Sequence, residues 1–120
     1  MGDTSPRFRA VFTDAWFSAD LLLLNASQRA AAENARREAE RDGVDPAGLE
    51  RCDPDARDGT SLGGCVKQYA GDLRLIYTGG IGEDGQPYLH CLAVGLGHRP
   101  RGDRRPDAYR IADRRLRRRR

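Results

Sequence analysis

Lysine is almost missing from this chain, and long apolar segments are missing altogether. Of the 21 basic residues, only Lys67 is a lysine. No apolar run approaches the roughly 20 residues that a membrane-spanning helix needs. The run Leu21–Leu24 is also too short for the core of a signal peptide. The sequence therefore predicts neither a membrane protein nor a secreted one, and we expect a cytoplasmic location.

Cysteine is scarce, and its spacing carries no metal or redox motif. The three cysteines, Cys52, Cys65 and Cys91, are odd in number, and no two of them form a C-x-x-C pair. This usage favours reduced thiols that are buried or inert, as is typical of a cytoplasmic protein. We expect no bound metal and no other cofactor.

The length and the charge distribution suggest one domain with a basic end. A chain of 120 residues suffices for a single modest core, which we place at residues 1–116, followed by a basic tail at 117–120. The net charge of +3 comes from six arginines at the C-terminus, without which the chain has 15 basic and 18 acidic residues. Such a run either contacts phosphates or acidic partners, or is a solvated tail.

Apolar periodicity and turn residues predict an α+β fold in the order β-α-α-β-β-β-α. We expect a small antiparallel-rich sheet with an N-terminal helical hairpin and a short C-terminal helix, all helices lying on one face. The predicted strands are 7–13, 64–70, 72–78 and 88–96, and the predicted helices are 15–24, 28–42 and 108–116, with Asp14 and Asp107 as caps. The long segment 44–64 either carries function or wraps the surface, and its acidic content favours the surface.

The stretch from Cys65 to Arg99 contains the main indication of chemistry. In the strand DLRLIYT, period-two geometry sends Arg74 and Leu75 to opposite faces. A second strand, YLHCLAVGL, ends at Leu96, shortly before His98 and Arg99. A strand arginine followed by this dipeptide indicates a cationic site, although Arg74 alone could simply pair with an acidic neighbour.

These motifs resemble the RelE/ParE superfamily of type II toxin–antitoxin toxins. The resemblance rests on the segment GDLRLIY, on the strand that ends AVGLGHR and on the helix AYRIADRRL, in that order. It covers about residues 64–116, and the upstream strand and helical hairpin agree with the order of elements in the superfamily. RelE-like members are ribosome-dependent, metal-independent endoribonucleases that cut mRNA and inhibit translation.

The resemblance implies a catalytic role for Lys67, Arg74, His98, Arg99 and Tyr109. The planar fork of Arg74 suits phosphoryl oxygens, while Lys67 would stabilise charge or act as a base. His98 is the nearby side chain whose ordinary titration lies near neutrality. Tyr109 would stack on a base or assist proton transfer.

Each of these residues also has a purely structural interpretation. Lys67 can be a solvated strand residue, His98 a polar end to its strand and Tyr109 a core residue. His90, which alternates with apolar residues, is better explained as a half-buried structural histidine. The arginines expected to contact RNA are Arg101, Arg104, Arg105, Arg110, Arg114 and Arg115.

The implied partners are a cognate antitoxin, with which the chain would form a hetero-oligomer, and the ribosome with its mRNA. A helix or strand of the antitoxin would lie over the basic face. Two alternatives stay open. One is a ParE-like inhibitor of DNA gyrase that cuts no nucleic acid, and the other is a catalytically inactive relative that binds RNA or a partner.

Overall fold

The computed structural model describes residues 7–52, 62–98 and 102–118 and has an α+β fold. The α+β class is therefore confirmed. Its five strands are β1 (Arg9–Phe12), β2 (Glu50–Arg51), β3 (Cys65–Ala70), β4 (Leu73–Ile81) and β5 (Pro87–Leu96). Its helices are α1 (Asp14–Leu21), α2 (Ala26–Asp42) and α3 (Ala108–Arg118), with a 3-10 turn at Pro46–Gly48. The two-residue strand β2 lies inside the segment 44–64, where the sequence predicts no regular element.

The strands form one mixed sheet in the order β1-β5-β4-β3-β2. Strands β2 to β5 pair antiparallel with their neighbours, whereas β1 joins the other edge parallel to β5. The turn between β3 and β4 is formed by Gly71 and Asp72, one residue later than the Ala70–Gly71 turn that the sequence predicts, because Ala70 still pairs with Leu73. Gly71 has a φ of 63°, a left-handed conformation that favours glycine.

A bulge in β5 changes which side chains reach each face. Ile76 of β4 pairs with Ala93, but the next residue, Tyr77, pairs with Cys91, so Leu92 is an extra residue. Leu92 and Ala93 consequently pack in the same core cluster, beside α3. The alternation of side chains between the two faces is therefore interrupted at the centre of β5.

Helices cover both faces of the sheet, so the prediction of helices on one face is wrong. Ala32 and Ala39 of α2 pack in a cluster with Leu75 of β4. Ile111 of α3 packs in a second cluster with Ile76, the next residue of the same strand. Central strands that are apolar on both sides need a layer on each side, and β4 has that character. The buried residues of α2 are both alanines, which lets the helix lie close to the sheet.

The helix starts agree only partly with the predicted caps. Asp107 accepts a hydrogen bond from the Arg110 backbone N–H at 2.9 Å, so it caps α3 as predicted. Helix α2 begins after Asn25, which forms a capping box with Gln28. Thr13, rather than Asp14, occupies the N-cap position of α1.

A buried ion pair joins α1, β5 and α3. Arg115 donates from Nη1 and Nη2 to the two carboxylate oxygens of Asp20, at 2.9 and 2.7 Å. Asp20 also accepts from the backbone N–H of Val94, and Arg115 donates to the carbonyl of Leu92. The side chains are 3% exposed for Asp20 and 12% for Arg115. Burial raises the pKa of Asp20 above its ordinary value, although the hydrogen bonds from Arg115 and Val94 oppose that rise.

We expect Arg115→Met to destabilise the fold by about 3–5 kcal/mol, because it leaves the Asp20 carboxylate buried without its cation. The matched control is Arg114→Met on the exposed side of the same helix, which should change the free energy of unfolding by no more than about 0.5 kcal/mol. Urea titrations of both variants and the wild type at pH 7 measure the difference. Equal stability of the two variants would contradict this role of Arg115.

The loss in free energy of unfolding caused by Arg115→Met should become smaller as the pH is lowered. Without its arginine, Asp20 has a folded-state pKa raised still further above that of the unfolded chain, so the folded state holds the proton more tightly. Stability from this group is then present at low pH and is lost as pH rises through the folded pKa. Repeating the titrations from pH 7 towards about 4 should narrow the gap to the wild type. A constant gap would contradict the assignment.

Candidate functional site

Three of the side chains predicted for catalysis, Lys67, Arg74 and Tyr109, lie together on the face of the sheet that α3 covers. Lys67 pairs across the strands with Ile76, and Tyr69 pairs with Arg74, so these side chains share one face. Tyr109 comes from the first turn of α3, which packs on that face. We call Glu50, Lys67, Tyr69, Arg74 and Tyr109 the cation–aromatic cluster.

Arg74 is held against an aromatic ring. Its guanidinium carbon lies 4.0 Å from the centroid of Tyr69. Its Nη1 donates to the carbonyls of Gly71 and Leu73, at 3.0 and 2.8 Å. Arg74 does not form an ion pair with its neighbour Asp72. The Asp72 carboxylate instead accepts a hydrogen bond from the Gln28 side chain. The predicted separation of Arg74 and Leu75 to opposite faces is confirmed, because Leu75 is fully buried on the α2 side.

Lys67 lies between two tyrosines and remains a cation. Its Nζ is 5.5 Å from the ring centroid of Tyr109 and 5.8 Å from that of Tyr69. Desolvation by partial burial lowers the Lys67 pKa, but hydrogen bonding and attraction to Tyr109, with attraction to Tyr69, more than offset it. The net pKa is raised. Of the two roles expected for Lys67, charge stabilisation therefore suits it better than proton abstraction.

Tyr69 and Glu50 belong to the site although sequence reasoning did not single them out. The Tyr69 hydroxyl donates to Glu50 Oε2 at 2.6 Å. That bond raises the Tyr69 pKa, so the phenol stays protonated near neutrality. Tyr69 is 47% exposed, which leaves part of its ring open to a ligand. Its position two residues after Lys67 was a usable signal, whereas Glu50 lies on a strand that the sequence did not reveal.

The histidines have different surroundings. His98 is exposed, two residues beyond the end of β5. His90 is half-buried, stacks on Trp16 at a centroid distance of 5.3 Å and is hydrogen-bonded to Thr13 Oγ1. The structural interpretation of His90 is thus confirmed. Arg99 and Arg101 lie outside the described residues.

The arginines predicted to contact RNA fall into two groups. Arg104, Arg110 and Arg114 are exposed, and the last two lie on the solvent side of α3, in line with Arg118. Arg105 forms an ion pair with Asp103 and donates a hydrogen bond to the carbonyl of Leu23. Arg115 is engaged in the buried pair with Asp20, so we correct its predicted role from RNA contact to structural residue.

The cluster suits a phosphate next to a base. Two cations, Lys67 and Arg74, can face phosphoryl oxygens, and the adjacent phenol rings offer stacking surfaces. Within residues 7–52, 62–98 and 102–118, no three His, Cys, Asp or Glu side chains are grouped to hold a metal ion. The side chains of the cluster themselves offer anion binding, charge stabilisation and proton transfer.

Comparison with known proteins gives no relative from which a role could be transferred: no protein-family model matches the chain, and no curated protein matches it. None of the three helices in the described part of the chain has the length and hydrophobicity needed to cross a membrane.

Gly97→Ala should move Arg74 without removing it. A Cβ at Gly97 would come within 2.6 Å of Arg74 Cγ and 2.7 Å of Nε, so the flexible arginine must leave its place. We expect the nuclear Overhauser contacts between Arg74 and the Tyr69 ring to disappear, at a cost in stability of about 1–3 kcal/mol. The control is Gly79→Ala in β4, whose Cβ meets no atom within 4 Å. Unchanged contacts in Gly97→Ala would refute the geometry.

Proposed function

We propose that this protein is a RelE-like toxin that cuts mRNA on the ribosome through the cation–aromatic cluster. The observation that carries the proposal is the convergence of Lys67, Arg74 and Tyr109, three of the residues implied by the RelE-like motifs, on one face of the sheet. Tyr69 joins them by stacking on Arg74. The proposal is supported by the combination of two cations, which suit phosphate, with two tyrosine rings, which suit bases.

The proposed reaction uses the 2′-hydroxyl of the substrate as the nucleophile. Its oxygen attacks the adjacent phosphorus, a base takes its proton, and the bond to the 5′-oxygen breaks while an acid protonates that leaving oxygen. The products are a 2′,3′-cyclic phosphate and a 5′-hydroxyl. Arg74 and Lys67 stabilise the charge that develops on the phosphorane oxygens. Tyr69 and Tyr109 stack on the flanking bases.

The base in this scheme is His98, and Glu50 is the second candidate because its carboxylate already contacts the cluster through Tyr69. Lys67 is less suited because its raised pKa keeps it protonated. The exposed arginines of α3 then contact ribosomal RNA, and a cognate antitoxin neutralises the protein by covering the cluster. The gyrase-inhibitor and binding-only alternatives require no base.

Arg74→Ala should abolish cleavage and leave the fold intact. The loss of a donor aimed at developing charge costs about 10²–10³ in rate, while surface substitutions usually change stability by less than about 0.5 kcal/mol. The assay is a purified translation reaction in which mRNA ends are read by primer extension. The matched control is Arg37→Ala, which removes an exposed arginine of α2, the helix on the other face of the sheet.

The translation assay, together with a supercoiling assay of DNA gyrase, decides between the three functions. Cuts that require the ribosome and vanish only in Arg74→Ala support the ribonuclease. Intact message together with inhibited supercoiling by DNA gyrase would favour the ParE-like alternative. Intact message with neither process inhibited would leave the binding-only relative. A circular dichroism spectrum of each variant ensures that lost activity is not lost folding.

The exposed arginines should govern affinity for RNA rather than the rate of cleavage. Replacing both Arg110 and Arg114 with Gln should reduce the magnitude of the slope of log K against log salt concentration by about 1.4 to 1.8, because two phosphate contacts are lost. The control replaces Arg37 and Arg41 on α2, where the slope should not change. Binding to ribosomes across a salt series gives both slopes. Equal slopes for the two double variants would contradict the assignment.

A further inference from the structure

Two large aliphatic side chains of the described residues, Leu22 and Ile81, project into solvent. They are 84% and 69% exposed, and Tyr69, the other large apolar residue with high exposure, already belongs to the cation–aromatic cluster. A single exposed leucine or isoleucine is ordinary, so the surface that surrounds each of them decides whether it has a role.

Leu22 lines a groove between the end of α1 and helix α3. We call it the α1–α3 groove, and its volume is about 310 Å³. Besides the pair of Asp20 and Arg115, its lining combines apolar side chains with two exposed cations: Leu22, Leu23, Pro106, Ile111, Arg114 and Arg118. Arg114 and Arg118 are one helical turn apart and lie side by side on α3. Neither of them forms an ion pair in the part of the chain that the structure describes. The groove is thus apolar with a cationic wall.

Ile81 lies on a protruding part of the sheet. Strand β3 pairs with β4 only as far as Thr78, and β1 pairs with β5 only from Tyr88 onward. Residues 79–87, which we call the hairpin tip, therefore extend beyond both neighbouring strands. The side chain of Ile81 is left exposed because no neighbouring strand or helix covers this end of the hairpin.

The loop of the hairpin tip is acidic and has a defined shape. Glu83 and Asp84 are both exposed. The Gly82 N–H donates to the Gln86 carbonyl at 2.8 Å, and Asp84 Oδ1 accepts from the Gln86 backbone N–H at 3.0 Å. Because these bonds lie within the loop, the tip needs little further ordering when it binds a partner. Glu83 forms no ion pair among the described residues, so its carboxylate is available.

We infer that the hairpin tip of one copy of this chain docks in the α1–α3 groove of a second copy. Ile81 covers the apolar lining beside Leu22, and Glu83 faces Arg118. The two surfaces are complementary in shape, since one protrudes and the other is concave, and they are also complementary in charge. The groove lining contains no aromatic ring on which a base could stack, so its composition favours a protein segment over RNA. The inference does not rest on the proposed ribonuclease activity.

The contact joins two different surfaces, so it is heterologous. It closes into a dimer when each of two copies receives the tip of the other, and it otherwise continues into longer assemblies. Both arrangements use the same pairing of Ile81 with Leu22 and of Glu83 with Arg118. Because the apolar part of the contact is small, we expect association that depends on protein concentration.

The first test is sedimentation equilibrium of the full chain from about 10 μM to about 1 mM. The weight-average mass should rise above the 13.3 kDa of a single chain as the concentration increases. Leu22→Ser and Ile81→Ser should each reduce that rise, and circular dichroism checks that both variants fold. A mass of one chain across the whole range would overturn the inference.

The second test exchanges the charges of the contact. Arg118→Glu and Glu83→Arg each bring like charges together, so each variant alone should associate about tenfold more weakly than the wild type. In an equimolar mixture every contact between the two variants again joins opposite charges, and association should return towards that of the wild type. Arg37→Glu on α2 is the control and should associate as the wild type does. Failure of the mixture to recover would overturn the pairing of Glu83 with Arg118.

A third measurement asks whether the groove binds RNA instead. Binding of a single-stranded RNA oligonucleotide is compared between the wild type, Leu22→Ser and Arg118→Glu. Arg118 is chosen because it is not among the arginines expected to contact RNA. Weaker RNA binding by both variants, with no change in their self-association, would assign the groove to RNA and overturn the inference. Unchanged RNA binding together with weaker self-association would support it.

Discussion

The buried pair of Asp20 and Arg115 determines where α3 lies, and the candidate site depends on α3. The pair ties the last turn of α1 to α3, and each partner is also bonded to the backbone of β5. A buried charged pair tolerates little displacement, because either ion would lose the partners that offset its desolvation. The ring of Trp16 lies beside Arg115 at 5.1 Å, which closes this junction on the side of α1.

The start of α3 is positioned by close backbone contact instead of by charge. Gly95 of β5 lies under Ala108, and a Cβ at Gly95 would be 3.2 Å from the Ala108 Cα. A side chain there would lift the helix from the sheet. Since Tyr109 is the next residue, this contact brings its ring over Lys67. Helix α3 is thus fixed near its start by the small side chains that let Gly95 and Ala108 touch, and near its end by the ion pair of Arg115 with Asp20.

The sequence predicted the elements and the orientation of Arg74 because both depend on local periodicity. It also held a signal that went unused: Ala108, Ile111 and Ala112 place Arg115 on the same buried stripe of α3. Its partner could not be predicted, since Asp20 lies 95 residues away and only the tertiary fold brings them together. The strand β2 and the bulge at Leu92 were missed for a related reason, as pairing with a neighbour defines both.

The cation–aromatic cluster lies at the edge of the sheet, and its order depends on the weakest pairing there. Strand β2 contributes only two residues, so few backbone hydrogen bonds hold it. Yet Glu50 of this strand fixes the Tyr69 hydroxyl, and Tyr69 in turn supports the guanidinium of Arg74. Whatever strengthens the contact between β2 and β3 therefore also orders Arg74. The order of the whole cluster is thus coupled to the pairing of a single pair of strands, β2 and β3.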